Sequence, residues 1–285
     1  MQSEHSADEQ FRPLFDGTTL AGWRAIPRIY GHVYPGGPTV DEMWRARGIT
    51  RPVGQENHPA HRFVEDGYIV GEQEEPGCGY GGYLITEDTF GDFELVLEAR
   101  PDWPADTGIM VRRQRDSWEG FQILLDHRES GGIGGFFGNG LASFMAAPFK
   151  IAALRNEAGE VIGLQPDPAE TSLEPLQPEQ IGRLAYAADV QDFLKAWKWG
   201  EWNEMRIRVV GAMPVITTWV NGVMIAELDT ATMQAPNYDP AAIQALLGTR
   251  GHIALEVHDN DPVFKDSRWG HGAQCRWRNI CIKEL

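Results

Sequence analysis

Along most of the chain apolar residues recur at every second position. The stretches 66–72 (DGYIVGE), 93–101 (FELVLEARP), 107–114 (TGIMVRRQ), 119–127 (EGFQILLDH), 204–211 (EMRIRVVG), 215–228 (VITTWVNGVMIAEL), 251–259 (GHIALEVHD) and 275–285 (CRWRNICIKEL) all alternate or run as short β-rich segments. Period-2 alternation is the mark of a strand with one face in a core. Turn signals separate them, the strongest being Asn221-Gly222 between two apolar runs, which predicts a type I′ hairpin. Helical signals are sparse. Residues 239–251 read as one helix, with Pro240 near its start and Gly248 near its end, and 178–200 mixes apolar and charged residues at near-helical spacing, as helix or irregular excursion. The pattern predicts an all-β, antiparallel sandwich.

Two long segments, 26–62 and 131–200, do not read as strands and are expected to be loop insertions over one end or face of the sandwich. With a flexible N-terminus at 1–10, the expected organisation is one β-sandwich domain over 11–285.

Composition narrows the partners. The chain has 285 residues, 10 Trp and a formal net charge of −16. Phosphate-binding surfaces need Lys and Arg, so nucleic acid and other polyanions are poor partners. No apolar run approaches the roughly 20 residues that a bilayer requires. Abundant Trp in an acidic chain suits stacking on sugar rings, although most such rings fill cores. The three cysteines give no disulfide framework. The first ten residues, MQSEHSADEQ, lack a hydrophobic signal core, so a cytoplasmic protein or a periplasmic one with its signal removed is expected.

The polar faces of the strands carry the candidate chemistry. In 251–258, Ile253, Leu255 and Val257 point to a core, which leaves His252, Glu256 and His258 opposite. By the same alternation Met110, Arg112 and Gln114 share a polar side, as do Gln122, Leu124 and Asp126, with His127 closing that strand; Arg276 and Arg278 share one side near the C-terminus. Such faces ordinarily meet solvent. Here, however, His, Glu, Arg, Gln and Asp replace the usual Lys and Thr, which favours a site. The Gly-rich 131–140 is no dinucleotide fingerprint, and no H-E-x-x-H, paired C-x-x-C or G-x-S-x-G occurs.

Taken in order, residues 11–24 (FRPLFDGTTLAGWR), 61–72 (HRFVEDGYIVGE), 81–100 (GGYLITEDTFGDFELVLEAR), 106–113 (DTGIMVRR), 200–211 (GEWNEMRIRVVG), 220–222 (VNG), 251–259 (GHIALEVHD) and 277–285 (WRNICIKEL) resemble the successive motifs of the DUF1080 family, the 3-keto-disaccharide hydrolase domain. The resemblance implies a concanavalin A-like jelly roll with a sugar site in its concave sheet, and hydrolysis of glycosides oxidised to a ketone at C3. The sequence departs from the commoner pattern in placing Glu256 where relatives carry Gln, and in the residues from Phe121 to Gly140.

A 3-keto sugar needs a base for the C2 hydrogen, an acid for the leaving aglycone and a positive group over the enolate oxygen. Glu256 and His258, about 6.6 Å apart on one strand face, are expected as base and acid, with Arg112 or Arg278 holding the oxyanion. Gln122, Asp126, His252, Arg278, Asn203 and Tyr83 are the expected substrate contacts. His127 and Asp126, with Glu256 and His258, offer a mixed ligand set for a divalent metal ion. The expected partners are a carbohydrate substrate and, functionally, a sugar 3-dehydrogenase. The alternatives are a non-catalytic carbohydrate-binding jelly roll or an ordinary glycosidase acting on unoxidised sugars.

Overall fold

The computed structural model describes residues 10–50 and 59–285, so nearly all of the expected N-terminal tail lies outside the described residues. In chain order the strands are β1 Arg12–Pro13, β2 Trp23–Pro27, β3 His61–Glu65, β4 Tyr68–Glu72, β5 Gly82–Thr86, β6 Phe93–Pro101, β7 Ala105–Arg113, β8 Gly120–His127 and β9 Ile133–Asn139. They continue as β10 Met145–Ala146, β11 Ile151–Arg155, β12 Val161–Pro166, β13 Tyr186–Ala187, β14 Asn203–Val210, β15 Val215–Val220, β16 Val223–Asp229, β17 His252–Val257 and β18 Gln274–Glu284. Four short helices, α1 Val40–Ala46, α2 Pro178–Gly182, α3 Val190–Ala196 and α4 Pro240–Leu247, lie between them. No helix among the described residues is long and apolar enough to cross a membrane.

The strands form a jelly-roll sandwich. One sheet runs β13-β16-β15-β14-β6-β18-β4-β3, with β1 on β18; the other runs β10-β9-β8-β7-β17-β5-β2; all pairs are antiparallel. Leu95, Leu97, Ile207, Val209, Trp277 and Ile282 of the first sheet meet Ile109, Phe121, Ile123, Ile253, Leu255 and Val257 of the second in a common core. Burying each such side chain contributes roughly 1.5–3 kcal/mol.

Local signals are realised where the chain closes on itself. Asn221 (φ 47°) and Gly222 (φ 81°) form the predicted I′ turn between β15 and β16. Asp239 caps α4, which ends before Gly248. Residues 178–200 divide into α2, β13 and α3.

The reading of 131–200 as free of strands is corrected, because β9 is an integral member of the seven-stranded sheet. Its sequence IGGFFGN lacks β-branched residues after Ile133, so it does not look like a strand. The glycines answer to contact instead: Gly134 has φ 79°, and a Cβ there would come within 2.6 Å of the Ile225 side chain on the opposite sheet. Residues 26–62 likewise begin inside β2 and end in β3, with α1 between.

The two sheets differ on their outer faces. β6 and β14 alternate buried and partly exposed positions, whereas β7, β8 and β17 are buried at every position. The polar face of the second sheet is therefore covered. Residues 30–47 fold across it, with α1 started by a Thr39/Glu42 capping box and anchored by Val33, Val40 and Trp118 in a small apolar cluster of their own.

Candidate active site

Under this cover lies a pocket of about 210 Å³. Its floor comes from alternate residues of neighbouring strands: Asp106 of β7, Gln122, Leu124 and Asp126 of β8, Phe137 and Asn139 of β9, and His258 just past β17. Tyr30, Met43, Trp44 and Trp118 supply apolar walls.

Arg28, one residue past β2, is the hub of one side. Its guanidinium is 4% exposed, pairs with Glu256, lies 2.9 Å from Asp259 Oδ1, and donates to the hydroxyls of Tyr30 and Tyr83 (each 3.1 Å). Its Nη2 is 3.1 Å from His258 Nε2. A guanidinium can only donate, so Nε2 accepts, and the imidazole proton sits on Nδ1, 2.7 Å from the Asp259 main-chain oxygen. Burial opposes the charge on Arg28, but Tyr30, Tyr83 and Asp259 outweigh it and raise its pKa. Burial likewise opposes ionisation of Asp259, and His258 and Arg28 overcome it to hold the carboxyl well below the usual carboxylate range.

The other side is a pair of carboxyls. Asp106 and Asp126 are direct cross-strand partners, and their side chains share a hydrogen bond. Burial works against the ionised form of both. At Asp106 it is overcome by Arg128 Nε (2.7 Å) and by Arg268 Nη1 (2.6 Å), so its carboxyl stays well below the usual range. At Asp126 burial and the Asp106 charge act together and push the carboxyl well above it, with Arg128 and Lys150 offsetting only part. Two like charges at this separation do not both form, so Asp106 is the carboxylate and Asp126 the carboxylic acid. The pocket thus presents a proton donor, an imidazole whose Nε2 accepts, and a fixed cation.

The expected residues divide into groups. Asp126, Gln122 and His258 line the pocket. Tyr83 and Glu256 lie beneath it, fully buried: Glu256 pairs with Arg28 and accepts from the Gln122 amide. The expectation of Glu256 as base is corrected, since its carboxylate is buried, paired with Arg28 and does not line the pocket. Arg112 is also corrected. It has φ 51° and opens a bulge in β7, where Arg113 pairs with His252 but Met110 already pairs with Ala254. An extra residue re-aims everything after it. Arg112 therefore turns to Asp92 (3.1 Å) and the Gly211 carbonyl (3.0 Å), and Arg113 takes the inner face, 4.4 Å over the Tyr83 ring.

His252 is 2.8 Å, through Nδ1, from the Thr86 carbonyl oxygen, outside the pocket. Arg278, on β18 of the other sheet, pairs with Glu98 (2.6 Å) and covers Trp202. Asn203, on β14, binds the main chain of Lys198 and Glu201. Neither reaches the pocket. His127 follows Asp126 in an unbroken strand and so points to the opposite face, among Trp103, Trp197 and Trp199. The expected His127–Asp126 ligand pair is thereby separated, and no group of three His, Cys, Asp or Glu side chains among the described residues is arranged to hold a metal ion.

Arg28, Asp106, Arg128 and Arg268 were not anticipated. Asp106 was open to discovery by carrying the alternation of Met110 and Gly108 back two residues. Arg28 had no such signal, because its strand was hidden in an apparent insertion.

Solved structures with similar folds include two proteins of Parabacteroides distasonis, both inferred glycosyl hydrolases. One is 15% identical, with 100% of this chain and 98% of that chain covered at a TM-score of 0.47; the other is 17% identical, with 79% and 90% covered at 0.45. The carbohydrate-binding module CBM66 of Bacillus subtilis is 10% identical, with 79% of this chain and 92% of that chain covered at 0.42. No curated protein sequence matches the chain. A family model does, over residues 10–283, and by that match the chain belongs to the 3-keto-alpha-glucoside-1,2-lyase-like domain family.

Proposed function

We propose that the protein cleaves 3-keto-glycosides by eliminating the aglycone and hydrating the resulting enone. The observation that carries this reading is a pocket that sets two facing carboxyls, Asp106 paired with Arg128 and Arg268 and Asp126 without a cation of its own at hydrogen-bond distance, beside an imidazole and a guanidinium. Family membership points to the same substrate class.

In this reading the C3 carbonyl oxygen accepts the Arg28 Nη2 hydrogen bond now given to His258 Nε2. That exchange frees the imidazole lone pair at the moment the ketone is bound, and His258 then removes the C2 proton while Arg28 neutralises the enolate oxygen. As the enolate reforms the ketone, the C1–O bond breaks, a C1=C2 double bond forms, and Asp126 protonates the departing oxygen. Water adds at C1, giving a proton to the Asp126 carboxylate, and the His258 imidazolium returns its proton to C2. The net change is hydrolysis. A sugar lacking the C3 ketone neither displaces the Arg28 bond nor has an acidic C2 hydrogen.

The substrate must come from a reaction that oxidises the C3 hydroxyl of a glycoside, the role of a sugar 3-dehydrogenase. The test is to incubate the protein with a glucoside and with its 3-keto derivative and follow aglycone release. Release from the keto compound alone is expected, with solvent deuterium appearing at C2. Release from the unoxidised glucoside at a similar rate, or from neither, would overturn the reading.

A further inference from the structure

On the far side of β8 from Asp126 is a second and larger cavity, about 480 Å³, at the edge where the two sheets meet. Trp103, His127, Trp199 and the Gly270–Ala273 turn line it. His127 is 2% exposed, and its Nδ1 lies 2.8 Å from the Asp102 main-chain oxygen. A carbonyl can only accept, so Nδ1 carries the proton and Nε2 is an acceptor. That Nε2 is buried and has no hydrogen-bond partner. Burial lowers the imidazole to about 4, so the acceptor persists at neutral pH. Such a buried acceptor is costly to leave unpaired. The site is uncharged at its centre: the nearby Asp102 carboxylate is taken by Arg276 (2.8 Å) and by the Gln274 main-chain N–H (2.9 Å).

We propose that this cavity is a second carbohydrate-binding site, taking a neutral pyranose whose C–H face stacks on Trp199. One hydroxyl donates to His127 Nε2. A hydroxyl can donate to that nitrogen, which a carboxylate cannot, and indole faces suit the apolar side of a sugar ring. The site stands apart from the reaction pocket, because Asp126 and His127 point to opposite faces of one strand. It rests on none of the proposed chemistry.

The test is a tryptophan-fluorescence or calorimetric titration with methyl α-D-glucopyranoside on the wild type, Trp199→Ala and His127→Phe. Trp199 is half-buried on a loop, and phenylalanine at 127 keeps the ring packing while deleting the acceptor. Saturable binding in the wild type, weakened at least tenfold in both variants with unchanged thermal melts, is expected. Binding at the Arg28–Asp126 pocket is untouched by either change, so the loss locates the ligand. No saturable binding in the wild type, or full affinity in His127→Phe, would overturn the proposal.

Discussion

Asp106 and Asp126 set one another's charge, and the pH behaviour of the site follows from that. Asp126 acts as an acid only while protonated, so activity falls as pH rises through its elevated value. Replacing Asp106 with Asn removes the neighbouring charge, and the alkaline limb of the rate profile then moves to lower pH. Asp126→Asn should cost about 10²–10⁴ in kcat with the melt unchanged, as measured on a 3-keto-glucoside. Linkage runs with these shifts. Asp126, raised on folding, contributes stability at acid pH that is lost as pH climbs through its folded value; Asp106, depressed, contributes above the unfolded carboxyl value and loses it on acidification. Glu256 lies on a different footing. Its removal leaves Arg28 with one buried carboxylate, Asp259, in place of two, so Glu256→Ala should lower the unfolding free energy by about 3 kcal/mol. Glu256→Gln keeps the hydrogen bond and should lose less, a ranking that denaturant titration reads directly.

At the scale of elements, what was legible was local. The I′ turn at Asn221-Gly222, the helix after Asp239 and the apolar core face of β8 and β17 at every second residue depend on neighbours in sequence, and the structure shows all of them. β9 was not legible, since its glycines answer to Ile225 across the sandwich. Gly134→Ala should accordingly destabilise the fold by about 1–3 kcal/mol through overpacking and the positive φ, seen as a lower urea midpoint with unaltered m-value. Arg112 was misassigned because one left-handed residue shifts the phase of β7, and phase cannot be counted through an unseen bulge. Arg28 escaped because only tertiary folding brings residues 26–47 over the second sheet.

At the scale of the whole molecule, the charge of −16 and the placement of the cations belong together. Arg28, Arg128 and Arg268 are each paired with carboxylates, so their charges are balanced at a distance and the pocket projects no net positive field into solvent, while Arg28 Nη2 still acts at contact. Encounter with a neutral glycoside gains nothing from steering. kcat/KM for a 3-keto-glucoside should therefore change by less than about twofold between low and physiological ionic strength, where exposed charges become screened within about 8 Å. A steep salt dependence would point to a charged substrate instead.

β8 has a further consequence as a partition. Its eight residues separate two chambers by the thickness of a single strand, with Asp126 in one and His127 in the other. Both residues are paired to β7, and the Asp126 N–H also donates to the Gly132 carbonyl (3.0 Å), so displacement of either side chain is opposed by the sheet. The peptide group that joins Asp126 to His127 thus belongs to the wall of both chambers.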